Sequence, residues 1–310
     1  MFKTPLQYLT GASALVLVTT STILICTPLL LVALLKLALP WRPWREVCSS
    51  ILVHLAEAWI SVNGLLMRVL LPTQWQVSGL QGLEANRSYL LICNHQSWVD
   101  IPVLQKIFNR KIPFLRFFLK QQLIWIPFLG VAWWALDFPF MRRYSKAALS
   151  NNPQLRGADL AATRNACEKY RGRAVTVMNF VEGTRFSAEK HARQESPYRH
   201  LLRPKPGGLA FVLGAMGSQI DALIDVTIHY PQGAPDFWEF ACGKVRCIDI
   251  HVEVRSPDST FLTMDYAGDE VARARFRSWL DDLWQAKDAR LDRLARSMDG
   301  SHNQQEYVIC

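Results

Sequence analysis

The residues with the clearest chemical potential are Asn94, His95 and Asp100. They follow an apolar run, Leu90-Leu91-Ile92-Cys93, which reads as a buried strand. Asp100 is followed at once by Ile101-Pro102-Val103-Leu104, the expected start of a helix. A histidine at the end of a buried strand, with a carboxylate one helical turn further on, can be held in one tautomer and act as a general base. The carboxylate holds one ring nitrogen and stabilises the imidazolium, which leaves the other nitrogen free to take a proton. The spacing serves a second purpose equally well. Ser97-x-x-Asp100 fits a capping box, which satisfies bare N–H groups at a helix start. The two uses are compatible, because a carboxylate anchored at a helix start is a rigid orienter.

A second motif, Glu182-Gly183-Thr184-Arg185, ends the strand-like run 174–181. Ligands commonly bind where the buried strands of α/β folds end. Gly183 lets backbone approach a ligand, Thr184 offers a hydroxyl, and Arg185 offers a bidentate fork for phosphate. A turn closed by a Glu182–Arg185 surface ion pair fits the same four residues. Basic residues recur around it, at Lys120, Arg142, Arg143, Lys146, Lys190, Arg193 and Lys205. Each of these, taken singly, reads as a solvated surface charge.

No enzyme nucleophile sits in a known frame. The chain has no G-x-S-x-G elbow, no S-x-x-K, no H-E-x-x-H, no P-loop and no G-x-G-x-x-G. If His95 is a base, its proton comes from a substrate hydroxyl or from water. Direct group transfer and hydrolysis of an ester or thioester both remain open, and a membrane-tethered scaffold is the non-enzymatic alternative.

Strand patterns at 75–78, 89–93, 174–181, 223–230 and 244–255 alternate with helical ones after Asp100 and at 157–171, 207–218 and 270–298. That alternation predicts an α/β fold. The aromatic-rich stretch 114–136 reads as a pair of core helices, or as a surface that meets lipid. The chain divides into an N-terminal membrane anchor at 1–73, a catalytic domain at 74–260, and a charged helix and tail at 261–310. Within the anchor, residues 12–39 are long and apolar enough for a span. Trp41-Arg42-Pro43-Trp44-Arg45 marks its interfacial end, and the charge bias places that end in the cytoplasm. Residues 51–71 are also apolar but carry His54, Glu57, Asn63 and Arg68, so they read as an interfacial helix, with a second span as the alternative.

Half of the 310 residues are hydrophobic, and the net charge is +9. The charge suits an anionic partner such as a phosphate-bearing substrate or an anionic lipid surface. Nucleic acid is a poor fit, because the basic residues are spread out and the apolar N-terminus ties the chain to a membrane. Seven cysteines without a C-x-x-C pair read as reduced, buried thiols facing the cytosol.

Taken in order, the motifs carry a resemblance. Asn94-His95-x-x-x-x-Asp100 and Phe180-x-Glu182-Gly183-Thr184-Arg185 resemble the signature of the glycerolipid acyltransferases, the 1-acylglycerol-3-phosphate acyltransferase family. Two weaker blocks agree, at Lys120-Gln-Gln-Leu-x-x-x-Pro127-x-x-Gly130 and at 223–231. The full form Asn-His-Gln-Ser-Trp-Val-Asp, with Asp225-Val-Thr, is most similar to the lysocardiolipin and long eukaryotic branch. The length and N-terminal layout resemble the bacterial YihG-type inner-membrane acyltransferases. Asp225-Val-Thr stands where many bacterial members have a proline-rich block, which loosens the inference about the acceptor head group.

The resemblance implies a mixed sheet flanked by helices, at the cytoplasmic face of a bacterial inner membrane. It implies transfer of a fatty acyl group from acyl-CoA or acyl carrier protein to the sn-2 hydroxyl of a lysophospholipid, first of all lysophosphatidic acid. Lysophosphatidylglycerol and lysocardiolipin are the alternative acceptors. His95 is then the base and Asp100 its orienter. Asn94 fixes the loop, while Glu182, Gly183, Thr184 and Arg185 hold the acceptor, with Arg185 on its phosphate and Lys120 adding positive potential. No metal or bound cofactor is implied.

Overall fold

A computed structural model of the protein describes residues 3–126, 129–141, 167–168, 170, 172–262, 266 and 268–299. Two long helices come first, α1 (Lys3–Ala38) and α2 (Arg42–Leu70). The break between them is chemical. Pro40 has no N–H to continue α1, and Pro43 sits in the first turn of α2, where a missing N–H costs nothing. The Trp44 indole N–H donates to the Leu35 carbonyl at 3.0 Å and closes the end of α1.

The α/β part follows as β1 (Gln74–Ser78), β2 (Tyr89–Cys93), α3 (Asp100–Phe108), β3 (Leu115–Phe117), β4 (Leu119–Lys120), α4 (Leu129–Ala135), β5 (Phe140–Met141) and β6 (Thr176–Phe180). Then come α5 (Ala188–Arg193), α6 (Pro206–Met216), β7 (Ala222–His229), α7 (Phe237–Ala241), β8 (Cys247–Arg255) and the long α8 (Glu270–Asp299). Six strands form one mixed sheet in the order β1-β8-β7-β2-β6-β3, and β4 pairs with β5 apart from it. β7, β2, β6 and β3 run parallel, while β8 is antiparallel to β7. β2 is central and covered on both faces, which is why it reads as an unbroken apolar run. Leu91 and Cys93 face the core under α3, and Leu90 and Ile92 face the core under α6 and α8.

Two expectations change. Residues 114–136 are not a helix pair. They form two short strands, a 3₁₀ turn at Gln121–Trp125 and the single helix α4. Their apolar side chains divide accordingly: Phe114, Ala132 and Ala135 are buried against α1 and α2, whereas Trp125 is exposed. The second apolar segment is not confined to 51–71 either, since α2 runs unbroken from Arg42. Its polar residues have protein partners: Asn63 accepts from Ser21 at 3.2 Å, and Glu57 pairs with Arg110. The helix expected over 157–171 falls mostly outside the described residues, as do Arg142, Arg143, Lys146 and the tail from 300.

The helical pair lies alongside the α/β part. Near its start, α1 touches α7, where the Tyr8 and Trp238 rings are 6.4 Å apart. Gly11 packs so closely there that a Cβ would stand 2.5 Å from Cys242 Sγ. Near its end, the buried Lys36 ammonium donates to the Ala135 carbonyl at 2.7 Å and to Asp137 at 3.0 Å. Both α1 and α2 are long and apolar enough to cross a membrane.

Candidate active site

The parallel strands β2, β6 and β7 end at one edge of the sheet, and the signature residues follow those ends. His95 lies just beyond β2, Glu182 just beyond β6, and Tyr230 directly after β7. The ends are tied together by Asn94. Its fully buried amide donates to the Ile228 carbonyl and accepts from the Ile228 N–H, both at 2.9 Å. Asn94 thus acts as a brace between β2 and β7.

Asp100 is entirely buried and lies at the first turn of α3. Its Oδ2 accepts from His95 Nδ1 at 2.8 Å, from the Gln96 N–H at 2.7 Å and from the Ser97 N–H at 2.9 Å. Its Oδ1 accepts from the Tyr230 hydroxyl at 2.7 Å. The carboxylate therefore has the orienting role and ties down the loop that leads into α3, whose cap position is Val99 without a side-chain cap bond. The expected Ser97–Asp100 capping box does not form: the Ser97 hydroxyl accepts from Val99 N–H and donates to the Pro235 carbonyl instead of capping α3. With Nδ1 donating to a carboxylate, the neutral imidazole carries its lone pair on Nε2. Among the described residues, no hydroxyl or thiol hydrogen-bonds that nitrogen. The ring stacks on Phe180 at 3.8 Å between centroids, and the side chain is 13% exposed.

The second motif splits into two roles. Glu182 is buried, and its carboxylate is committed to two backbone amides, His95 N–H and Leu202 N–H, each at 2.9 Å. It faces neither Arg185 nor the surface. It locks the His95 loop to the segment that leads into α6. Burial pushes its carboxyl up to about 7, against the downward pull of the Leu202 and His95 amides. Gly183 takes a φ of +68°, a conformation that favours glycine, and the Lys205 side chain lies over it. The Thr184 hydroxyl accepts from the Lys190 ammonium at 3.0 Å. The Arg185 guanidinium stacks on Trp98 at 4.5 Å. Arg185, Lys190 and Lys205 thus gather around the 183–185 turn. Lys120 ends β4, and its side chain lies outside the described residues.

Trp98 is 57% exposed and joins this cationic region to an apolar one. It lines a cavity of ≈ 590 Å³ between α1, α2, α3 and α4, whose walls include Val18, Ile60, Ile101 and Trp133. A volume of that size suits a small-molecule or lipid ligand.

Reading the sequence alone missed Tyr230, which lies within the strand-like block 223–231. It also missed the positions of Lys190 and Lys205 and the role of Lys287 on α8. The Lys287 ammonium is fully buried beneath this edge, bonded to Asp225 and to the Val226 carbonyl. A lysine on an otherwise apolar stripe of a charged helix was the available signal.

Comparison with known proteins bears on family and fold. Residues 74–229 match the family model described as Acyltransferase. The chain is 23% identical to lysocardiolipin acyltransferase 1 of Danio rerio, over 83% of this chain and 65% of the relative. It is 24% identical to 1-acyl-sn-glycerol-3-phosphate acyltransferase epsilon of Mus musculus, over 64% and 56% respectively. It is 26% identical to 2-acyl-1-lysophosphatidylinositol acyltransferase of Saccharomyces cerevisiae, over 69% and 62%. The chain thus spans less than two thirds of the length of these relatives. In fold it is similar to the crystal structure of the 1-acyl-sn-glycerophosphate acyltransferase of Thermotoga maritima. That match has a TM-score of 0.51 at 15% identity and covers 95% of this chain and 100% of the other.

Proposed function

We propose, on the premise that this chain belongs to the acyltransferase family, that it moves a fatty acyl group from acyl-CoA or acyl carrier protein to the sn-2 hydroxyl of a lysophospholipid. Lysophosphatidic acid is the first candidate acceptor and phosphatidic acid the product. The observation that carries the reading is the His95–Asp100 pair, with Nδ1 fixed by a buried carboxylate and, among the described residues, no nucleophile hydrogen-bonded to Nε2.

His95 Nε2 takes the proton of the acceptor hydroxyl as its oxygen attacks the thioester carbonyl. The tetrahedral intermediate collapses, the C–S bond breaks, and the imidazolium returns its proton to the departing thiolate. Asp100 stabilises the imidazolium in between. Arg185, supported by Trp98, receives the acceptor phosphate, with Lys190 and Lys205 adding positive charge beside it. Lys120 is assigned a share of that potential by its motif alone. The acyl chain lies in the cavity between the helical pair and α3, reached past Trp98.

The helical pair supplies membrane attachment. α1 has 36 residues, about 54 Å at 1.5 Å per residue, against roughly 30 Å of hydrocarbon. Its contacts with α7 at one end and with Asp137 at the other support a pair lying sideways in one leaflet, with Leu9, Val16, Ile23 and Leu34 towards lipid. The cytoplasmic face of a bacterial inner membrane is the location this reading assigns.

A second reading concerns the acceptor head group. Two of the relatives above are named for lysocardiolipin and lysophosphatidylinositol, so the same chemistry on another lysolipid is the direct alternative. The test is a transfer assay on purified protein, with labelled acyl-CoA or acyl carrier protein against a panel of lysolipids. His95→Ala is expected to abolish transfer while the protein stays membrane-bound. Near-normal activity in that variant would sink the base assignment. Free fatty acid without an acylated acceptor would favour hydrolysis.

A further inference from the structure

Tyr230 follows β7 directly and is buried. Its position is fixed by two constraints: the reciprocal Asn94–Ile228 bonds set the register of the β7 end against β2, and Pro231 follows. The hydroxyl ends 2.7 Å from Asp100 Oδ1, the oxygen that does not touch His95. The other oxygen already accepts from His95 and two backbone amides. Among the described residues, Tyr230 is the sole donor to Oδ1.

We propose that Tyr230 is a positioning residue for the His95–Asp100 pair, and that its hydroxyl sets how strongly the carboxylate holds the imidazole proton. The inference rests on His95 being the base. A donor on Oδ1 withdraws charge from the carboxylate, which weakens its grip on the Nδ1 proton and favours neutral imidazole, the form able to accept a proton. Without it, Asp100 holds the imidazolium more firmly and the base is protonated over a wider range. Burial, and next the Asp100 charge, push the phenol well above its ordinary value, so the hydroxyl remains a donor throughout the working range. The other ionisable groups around the pair are Cys93 on β2, Glu182 after β6, Arg185 in the following turn, Asp225 on β7 and Lys287 on α8. All of these are unchanged in a Tyr230 variant, so a difference from the parent enzyme reports the hydroxyl.

The test uses the full-length purified enzyme and two changes of opposite sign. In Tyr230→Phe, the acid limb of the kcat/KM profile is expected to move up in pH. Activity near pH 6 should fall about threefold to tenfold, and the plateau less than about threefold, corresponding to roughly half to one pH unit. A 3-fluorotyrosine at 230 keeps the shape, donates more strongly and should move the limb down. Peptide-resolved diethylpyrocarbonate modification of His95 across the same range reports the neutral imidazole without turnover and should move in parallel. His95→Ala is measured alongside. If that variant is active, the base reading fails, whatever Tyr230 does. If it is inactive and the limb and modification profiles of both Tyr230 proteins coincide with the parent, the positioning role is overturned. Should Tyr230→Phe not fold, the fluorotyrosine protein decides.

Discussion

Replacing Asp100 by asparagine separates the charge of the orienting carboxylate from its hydrogen bonds. The surroundings dictate how the amide must sit. Gln96 and Ser97 N–H both point at Oδ2, so only the asparagine oxygen can occupy that place, and it still accepts from His95 Nδ1. The amide NH₂ then faces the Tyr230 oxygen, which turns to accept. The histidine keeps its tautomer, and what is lost is the negative charge beside the imidazolium formed in the transition state. Opposite charges about 4 Å apart at an effective dielectric near 20 interact by about 4 kcal/mol. That is about a thousandfold in kcat. KM should change little, because Asp100 is completely buried and does not touch substrate. Stability should fall by about 1–3 kcal/mol, since the buried Tyr230 O–H loses its acceptor while the Gln96, Ser97 and His95 donors keep theirs. The assay is steady-state transfer of a labelled acyl group with varied lysolipid, paired with chemical denaturation. A folded Asp100→Asn enzyme within about tenfold of the parent kcat would refute the charge argument. A thousandfold loss shared between kcat and KM would place Asp100 in substrate binding instead.

Three further outcomes follow from buried contacts. Because the native Glu182 carboxyl titrates at about 7 rather than the ordinary 4.5, the folded protein binds that proton more tightly than the unfolded chain. Its contribution to stability is therefore complete below about pH 4.5 and lost as pH rises to about 7, by up to about 3 kcal/mol; urea titrations of Glu182→Gln should show a flatter curve across that window, and an equal slope would contradict it. Lys287→Met leaves the buried Asp225 carboxylate unpaired and should cost about 3–5 kcal/mol in denaturant unfolding, with most recovered in Lys287→Met/Asp225→Leu; a single variant as stable as the parent would show that the pair is not ionised. Gly183→Ala places a Cβ 3.2–3.3 Å from the end of Lys205 at a φ of +68°, so it should cost about 1 kcal/mol and raise KM for a phosphate-bearing acceptor several-fold; an unchanged KM would remove Lys205 from the acceptor site.

What could be read before folding was whatever lies within one turn of chain. His95 and Asp100 meet across five residues, and Asp100 reaches the amides of Gln96 and Ser97 next to it. Their geometry is set by a strand end followed by a helix start, so the pair was legible, whereas the capping box read from the same spacing does not form. So was the buried character of β2, because a strand covered on both faces has no polar side to show. The α/β alternation and the long apolar N-terminal helix were legible from periodicity for the same local reason.

Glu182 shows where that reading stopped. From its neighbours it could bind an acceptor or pair with Arg185, but it reaches the amide of a residue 87 positions earlier. Tyr230 finds Asp100 across 130 residues, and Asn94 finds Ile228 across 134. The polar residues of α2 read as an obstacle to a membrane span, but Asn63 and Glu57 find partners in Ser21 on α1 and in Arg110 just past α3. None of these pairings has a signature in spacing, because each depends on which strands became neighbours. The sequence by itself determined the chemical groups and the local angle between base and orienter. The tertiary structure decided which of the remaining polar groups face substrate and which are consumed in holding the base, since only the strand order β7-β2-β6 brings their ends to one edge of the sheet.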